Sequence, residues 1–260
     1  MAPDGLARVH PRARAFDAAA GAYERARPDY PEAAVRAFRT ALGIGPDSVV
    51  LDLAAGTGKL TRSLRAAGPI RLLAVEPSEG MRREFLAAVP DVPILDGTAE
   101  RIPIADGRVD AVVVGQAFHW FGPEAPAEIA RVLRPGGGLA VFWNVRDETV
   151  PWVERFGALV YDGGRGRDIS HRDGAWRTRI EASGAFGPLG SATFRWRQPL
   201  VPEDLVVRAL STSYVAALDA DGQRRVTEGV RALLRDTPEL SGRTTIELPY
   251  VSELHWAFRR

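Results

Sequence analysis

The chain has 260 residues, 45% of them hydrophobic and 26% charged, with a formal net charge of +1, so it can build a real core but lacks the basic excess of a nucleic-acid binder. It has no cysteine, which excludes disulfides, thiolate metal sites and cysteine nucleophiles. No apolar run reaches the roughly 18 residues of a membrane span and residues 1–14 hold no apolar signal segment, so a cytoplasmic protein without a membrane partner is expected.

Asp29-Tyr30-Pro31 leads into a first helix with Pro31 at its first position, Ala34, Phe38 and Ala41 on one face, and Gly43 just past its end. Val49–Leu53 is a first strand. The helix after it carries Leu60, Leu64 and Ala67 and stops at Gly68. Arg71–Val75 is a second strand, and Ser78 caps a helix with Met81, Phe85 and Ala88 on one side. Short strand Val92–Leu95 and strand Val109–Val114 follow, the latter apolar enough for burial on both faces. Ile129, Val132 and Leu133 mark a helix ending at Arg134-Pro135-Gly136-Gly137, and Leu139–Trp143 is strand five. Strands alternating with helices imply a Rossmann-like, doubly wound, mostly parallel sheet with helices on both faces.

Beyond Asn144 the pattern loosens. Trp152, Phe156 and Val160 suggest a helix, residues 161–174 a glycine-rich loop, and Trp176 with Ile180 another helix ending at Gly184. Ala192–Arg197 and Val251–Phe258 alternate as strands, with helices Glu203–Leu218 and Gln223–Leu234 between them. Two late strands around a helical insertion suit the edge of the same sheet, which makes it seven-stranded. One domain is expected over 1–260: an N-terminal helical cap (1–45), a cofactor-binding core (46–145), and substrate-side helices with edge strands (146–260).

The most informative stretch is Asp52-Leu53-Ala54-Ala55-Gly56-Thr57-Gly58. A strand ends in an acid, breaks into a small-residue loop and opens a helix, bringing backbone N–H groups against a ligand. Eighteen residues after Gly58 the next strand ends in Glu76, placed to accept from both hydroxyls of a ribose. A dinucleotide fingerprint fails at Thr61, where a third glycine belongs. A phosphate-binding P-loop fails at Leu53 and Leu60.

Asp52–Gly58 resembles the first motif of class I methyltransferases that use S-adenosylmethionine. Val75-Glu76-Pro77-Ser78 with Met81 resembles their ribose acid and the methionine beside adenine. Gly97-Thr98-Ala99-Glu100 before Ile102-Pro103 resembles the segment at the adenine edge. Val132–Gly137 resembles the turn before strand five. Phe16, Asp17, Ala20, Tyr23 and Arg27-Pro28-x-Tyr30-Pro31 extend the likeness to small-molecule members similar to trans-aconitate and quinone-biosynthesis methyltransferases. The resemblance implies a cofactor site of Tyr23, Arg27, Asp52, Ala54, Gly56, Gly58, Glu76, Pro77, Met81, Thr98, Ala99, Glu100, Gln116 and Ala117, with Arg27 on the cofactor's carboxylate. Two residues depart from the family pattern. Ala54 replaces a glycine and must hold φ below zero or be strained. Thr98 replaces an aspartate, leaving its hydroxyl, Asp96 or Glu100 to meet the adenine amino group.

Gly115-Gln116-Ala117-Phe118-His119-Trp120 follows strand four, where the cofactor's sulfonium should face the acceptor. His119 is the histidine placed to act as a base, or it only packs Trp120. No P-P-[YF] motif occupies this place, which argues against base-amine methylation of DNA. Arg165, Arg167, His171 and Arg172 form a solvated loop or a carboxylate clamp. The expectation is a monomer or homodimer that methylates a small organic acceptor at a carboxylate or hydroxyl, held among Trp120, Trp143, Trp152 and the Glu203–Leu218 helix, with no metal. A cofactor-binding regulator without turnover is the alternative, and a dinucleotide oxidoreductase a weaker one.

Overall fold

The computed structural model describes residues 27–161 and 173–260. The expectations placed on Phe16, Asp17, Ala20 and Tyr23, and on Arg165, Arg167, His171 and Arg172, lie outside the described residues.

Helix α1 (Glu32–Ala41) starts one residue later than expected, because Pro31 keeps an extended backbone (ψ 139°) and caps the helix from outside. Gly43 follows it with φ +64°, a left-handed turn that alanine would resist. Strands β1 (Val49–Leu53), β2 (Arg71–Val75), β3 (Ile94–Leu95), β4 (Val109–Gly115) and β5 (Leu133–Arg146) then alternate with helices. The helices are α2 (Lys59–Ala66), α3 (Glu79–Ala88) and α4 (Ala125–Val132). The later part holds α5 (Pro151–Val160), α6 (Ala175–Ala182), β6 (Gly190–Leu200), α7 (Pro202–Leu210), α8 (Ser213–Ala216), α9 (Ala220–Asp236) and β7 (Ile246–Phe258).

The sheet has seven strands in the order β3-β2-β1-β4-β5-β7-β6. The first five pair in parallel, and β7 runs antiparallel to both β5 and β6. Successive residues of each strand face opposite sides, so two cores form. Leu51, Val112, Val141 and Trp143 pack with Ile129 of α4 and with Trp176 and Ile180 of α6. Val50, Val113, Ala140 and Phe142 pack with Phe38 of α1, Leu64 of α2 and Phe85 of α3. At about 1.5–3 kcal/mol per fully buried side chain, this two-sided burial is why the central strands read as continuous apolar runs. A third core joins Trp152 and Phe156 of α5, Leu205 of α7, Val226 and Val230 of α9, and Leu248 and Tyr250 of β7.

Several boundaries moved for local reasons. Strand β5 runs from Leu133 to Arg146, not Leu139 to Trp143. It absorbs Arg134–Gly137 through a register shift against β4, so α4 ends at Val132. The expected Glu203–Leu218 helix breaks into α7 and α8 at Ser211-Thr212. There the Ser211 hydroxyl donates to Arg208 O and the Thr212 hydroxyl to Ala209 O, competing with helical propagation. Strand β3 contracts to Ile94–Leu95, β6 extends past both ends of its expected range, and β7 starts earlier, at Ile246, while ending at Phe258 as expected.

Candidate active site

The connections reverse direction between β1 and β4, so neighbouring loops part at the carboxyl ends of these strands. An open cleft of about 500 Å³, including its solvent-filled mouth, lies there. The β1–α2 loop forms its floor, Gly115 and Gln116 one wall, Asn144 the next, and Arg27, Tyr30 and Arg208 close it from above.

The floor is a tightly turned backbone. Ala54, Gly56 and Gly58 all take positive φ, at 58°, 57° and 88°. Ala54 therefore adopts the strained option left open by the sequence, at a cost of about 1–2 kcal/mol for a side chain in this region. Gly58 is obligatory for a second reason: a Cβ there would lie 2.9 Å from Cδ2 of Phe85 and 3.0 Å from Cγ2 of Val89. The loop is tied to the next strand by Ala55 N–H donating to Val75 O at 3.1 Å.

Glu76 braces the same loop. One carboxylate oxygen accepts from Gly56 N–H and the other from Ser78 N–H, both at 2.9 Å. Ser78 in turn caps α3 by accepting from Met81 N–H at 3.1 Å, which fixes Pro77 and buried Met81 beside it. The acid at the end of β2 thus ties the β1–α2 loop to the β2–α3 loop.

Asp52 is 1% exposed. Its Oδ2 accepts from the Thr61 hydroxyl at 2.5 Å, while Oδ1 meets no donor among the described residues. Burial pushes its carboxyl up from 3.8 to about 7, against the Thr61 hydrogen bond and with a smaller push from Glu76. The Thr57 hydroxyl, also a cleft wall, is likewise buried without a partner among the described residues. Buried polar atoms with open valences are what a polar ligand would satisfy.

At the adenine-edge segment, Gly97 packs so closely on Pro103 that a Cβ would come within 2.6 Å of Cδ. Two of the three groups considered for the adenine contact are engaged elsewhere. Glu100 accepts from Gly122 N–H at 2.7 Å, and Asp96 pairs with Arg82 at 3.1 Å. The Thr98 hydroxyl remains buried and unpartnered among the described residues. Ala99 and Ile102 enter the core, and Glu128 and Arg131 of α4 hold the Ile102 backbone by N–H and carbonyl at 2.8 and 2.9 Å. Arg131 keeps the Glu128 carboxyl below its ordinary value.

Past β4, Gln116 also takes a positive φ of 60° and donates from Nε2 to Asn144 O at 3.0 Å. Ala117 opens the turn Phe118–Trp120. There the His119 ring sits 4.4 Å from the Trp120 ring and 5.4 Å from that of Trp143, and it is not among the cleft walls. The expected aromatic acceptor pocket does not form. Trp143 is fully buried beside Trp176, and Trp152 belongs to the third core.

Arg27, Asp52, Ala54, Gly56 and Gln116 are thus brought to one cleft, while Gly58 and Glu76 support its floor. Sequence reasoning missed Arg208 and Asn144. Asn144 Nδ2 donates to Asp29 O at 3.0 Å and its Oδ1 accepts from Ser252 at 2.5 Å, pinning the N-terminal segment over the sheet. Lys59 and Arg62 hold Asp29 from below at 3.4 and 3.2 Å.

Residues 51–141 match the family model described as a methyltransferase domain. An uncharacterized methyltransferase of Mycobacterium tuberculosis is 40% identical over 238 residues, covering 91% of this chain and 92% of its own length. A methyltransferase-like protein of Schizosaccharomyces pombe is 33% identical over 88% of this chain and 89% of its own. A demethylmenaquinone methyltransferase of Beutenbergia cavernae is 38% identical over 45% of this chain and 48% of its own. Among solved structures, a methyltransferase ascribed to an antibiotic biosynthesis pathway of Anabaena variabilis superposes with a TM-score of 0.62 at 22% identity, over 87% of this chain and 97% of its own. With this sheet order and these relatives, the chain belongs to the class I, S-adenosylmethionine-dependent methyltransferases.

Proposed function

We propose that the cleft binds S-adenosylmethionine across the carboxyl ends of β1, β2 and β4, and that its methyl group goes to a small organic acceptor through a carboxylate or hydroxyl oxygen. The observation that carries this reading is the loop at 54–58, with its turned backbone held by Glu76 and its buried open valences at Asp52 Oδ1 and Thr57 Oγ1. These groups fit a ligand with a ribose, an ammonium and a carboxylate. S-adenosylmethionine, when bound, supplies an already electrophilic methyl group.

The chain's own residues then position and desolvate. Glu76 would accept from the ribose hydroxyls, and Pro77 and Met81 would line the adenine. The Thr98 hydroxyl would accept from the adenine amino group, with Ala99 and Glu100 shaping that edge. Arg27 offers a forked donor to the cofactor's carboxylate, and Gln116 with Ala117 would flank the methionine chain. The loop backbone and Asp52 would fix the donor's orientation, which is where most of the acceleration of an in-line transfer arises. His119 packs against tryptophans away from the cleft walls, so the reading favours an acceptor that is ionised at neutral pH and needs no base.

Calorimetric titration with S-adenosylmethionine and S-adenosylhomocysteine tests this, followed by methyl transfer to a panel of small acids, phenols and amines. Binding of both ligands is expected, with methylation of an acid in preference to a phenol. Failure to bind either ligand overturns the cofactor assignment, and methylation of amines alone overturns the acceptor class.

A further inference from the structure

Arg208 lies in the last turn of α7, in the late insertion, yet its side chain reaches the cleft. It is 5% exposed. Its Nε donates to the Tyr250 hydroxyl at 3.2 Å, a neutral partner, and its Nη1 is buried with no partner among the described residues. No carboxylate among the described residues forms an ion pair with it. A guanidinium removed from water without a counter-charge is costly, and such groups are found paired or poised to pair. The buried Arg146 differs, since its cation is covered by the rings of Phe156 and Tyr161, each 5.1 Å away. Arg208 thus lines the cleft and carries a buried donor without a partner among the described residues.

We propose that Arg208 is the acceptor-binding residue and that it takes a carboxylate of the methyl acceptor; this rests on the cofactor reading above. The cleft offers two arginines, Arg27 and Arg208. The cofactor brings one carboxylate, for which Arg27 is placed on the N-terminal segment. Arg208 comes from α7 and is held by Tyr250 of β7, which pairs with Arg146 at the end of β5, four strands along the sheet order from β3 and three from β2, whose end carries Glu76. With the nucleoside placed at Glu76, the proposal puts the second substrate at this other end of the cleft. Asp52 shares the cleft, and where it is ionised it would repel a phosphate dianion more strongly than a singly charged carboxylate group, so a carboxylate is favoured.

The test compares the wild-type chain with Arg208→Met by calorimetry. Each is titrated with S-adenosylhomocysteine, and then, saturated with it, with acetate, succinate and benzoate, with succinamide and benzamide as neutral counterparts, and with inorganic phosphate. The expected result is that a carboxylate binds the wild type, its amide does not, and Arg208→Met weakens the carboxylate about thirtyfold or more while leaving S-adenosylhomocysteine affinity unchanged. Equal carboxylate affinity in the variant, absence of carboxylate binding to the wild type, or tighter phosphate binding overturns the proposal. So does a parallel loss of S-adenosylhomocysteine affinity, which would give Arg208 to the cofactor. If Arg208→Met does not fold, Tyr250→Phe decides: it keeps the ring but frees Nε, and unchanged carboxylate affinity there refutes the role. A wild type that takes carboxylates but not S-adenosylhomocysteine would sink the cofactor reading alone, and the carboxylate titration of the cofactor-free chain would still decide Arg208.

Discussion

Replacing Asp52 by asparagine should stabilise the cofactor-free protein at alkaline pH. The folded chain holds the Asp52 proton up to about pH 7, whereas the unfolded chain releases it near 3.8. Between those values folding takes up a proton, so the wild type loses stability as pH rises through this window. The loss is absent below it and complete above it. A displacement from 3.8 to about 7 corresponds to about 4 kcal/mol, an upper bound because the cleft admits water to the ionised acid. Asparagine carries no charge, and its amide oxygen can still accept from Thr61. The stability difference between variant and wild type should therefore grow by at least about 1 kcal/mol from about pH 5 to about pH 8, equivalent to about 2–4 °C in melting temperature per kcal/mol. Urea unfolding of both proteins at the two pH values measures it, and the difference cancels every other titrating group. A difference that stays flat, or that favours the wild type more strongly at the higher pH, would refute the assignment of a buried, undercompensated carboxyl.

Three further substitutions probe the cradle. Glu76→Ala removes the acceptors of Gly56 and Ser78 N–H as well as the ribose partner, and S-adenosylhomocysteine should bind at least about tenfold more weakly by calorimetry; an unchanged affinity shows that the ribose assignment is wrong. Gly58→Ala combines a left-handed φ of 88° with a Cβ 2.9 Å from Phe85, and should lower stability by about 2–5 kcal/mol in urea unfolding; an unshifted midpoint means the loop can relax. Ala54→Gly relieves about 1–2 kcal/mol of strain but adds about 0.5–1 kcal/mol of unfolded-state entropy, so melting should rise slightly, whereas Ala54→Val should lower it; the reverse order would show that φ +58° is not strained.

The parts of this molecule legible in its sequence are those built from neighbouring residues. Asp52, Gly56 and Gly58 lie on one strand–turn–helix unit, and Glu76 closes on Gly56 across 20 residues through one parallel pair, β1 and β2. The two-sided core announced itself as apolar strands separated by amphipathic helices. The late strands were legible as alternation, although their extents depended on pairing partners that alternation does not reveal. Ala54 shows the limit within a local motif. Its identity posed a choice between two backbone conformations, and only the packing around the loop selected the strained one.

The acceptor side was illegible for a different reason. Arg208 is held by Tyr250, 42 residues away, and Arg27 donates to Ser211 O across 184 residues. Arg208 is one of many arginines in the chain, carried by an amphipathic helix, and nothing nearby in the sequence marks it as buried. Trp143 and Trp152, by contrast, look like a substrate pocket in sequence and turn out to be core, with Trp120 partly buried against it, because large apolar rings gain more from packing than from a half-open cleft. This asymmetry follows from how such a fold is assembled. In the proposed reading the cofactor is met by loops that directly follow parallel strands, so its contacts would recur at fixed spacings. The acceptor, in the same reading, is met by an insertion packed through its own core, so its contacts would depend on where α7 comes to rest. A buried cation without a counter-charge is therefore the kind of signal from which acceptor chemistry can be inferred in such a molecule, and Arg208 is where it occurs.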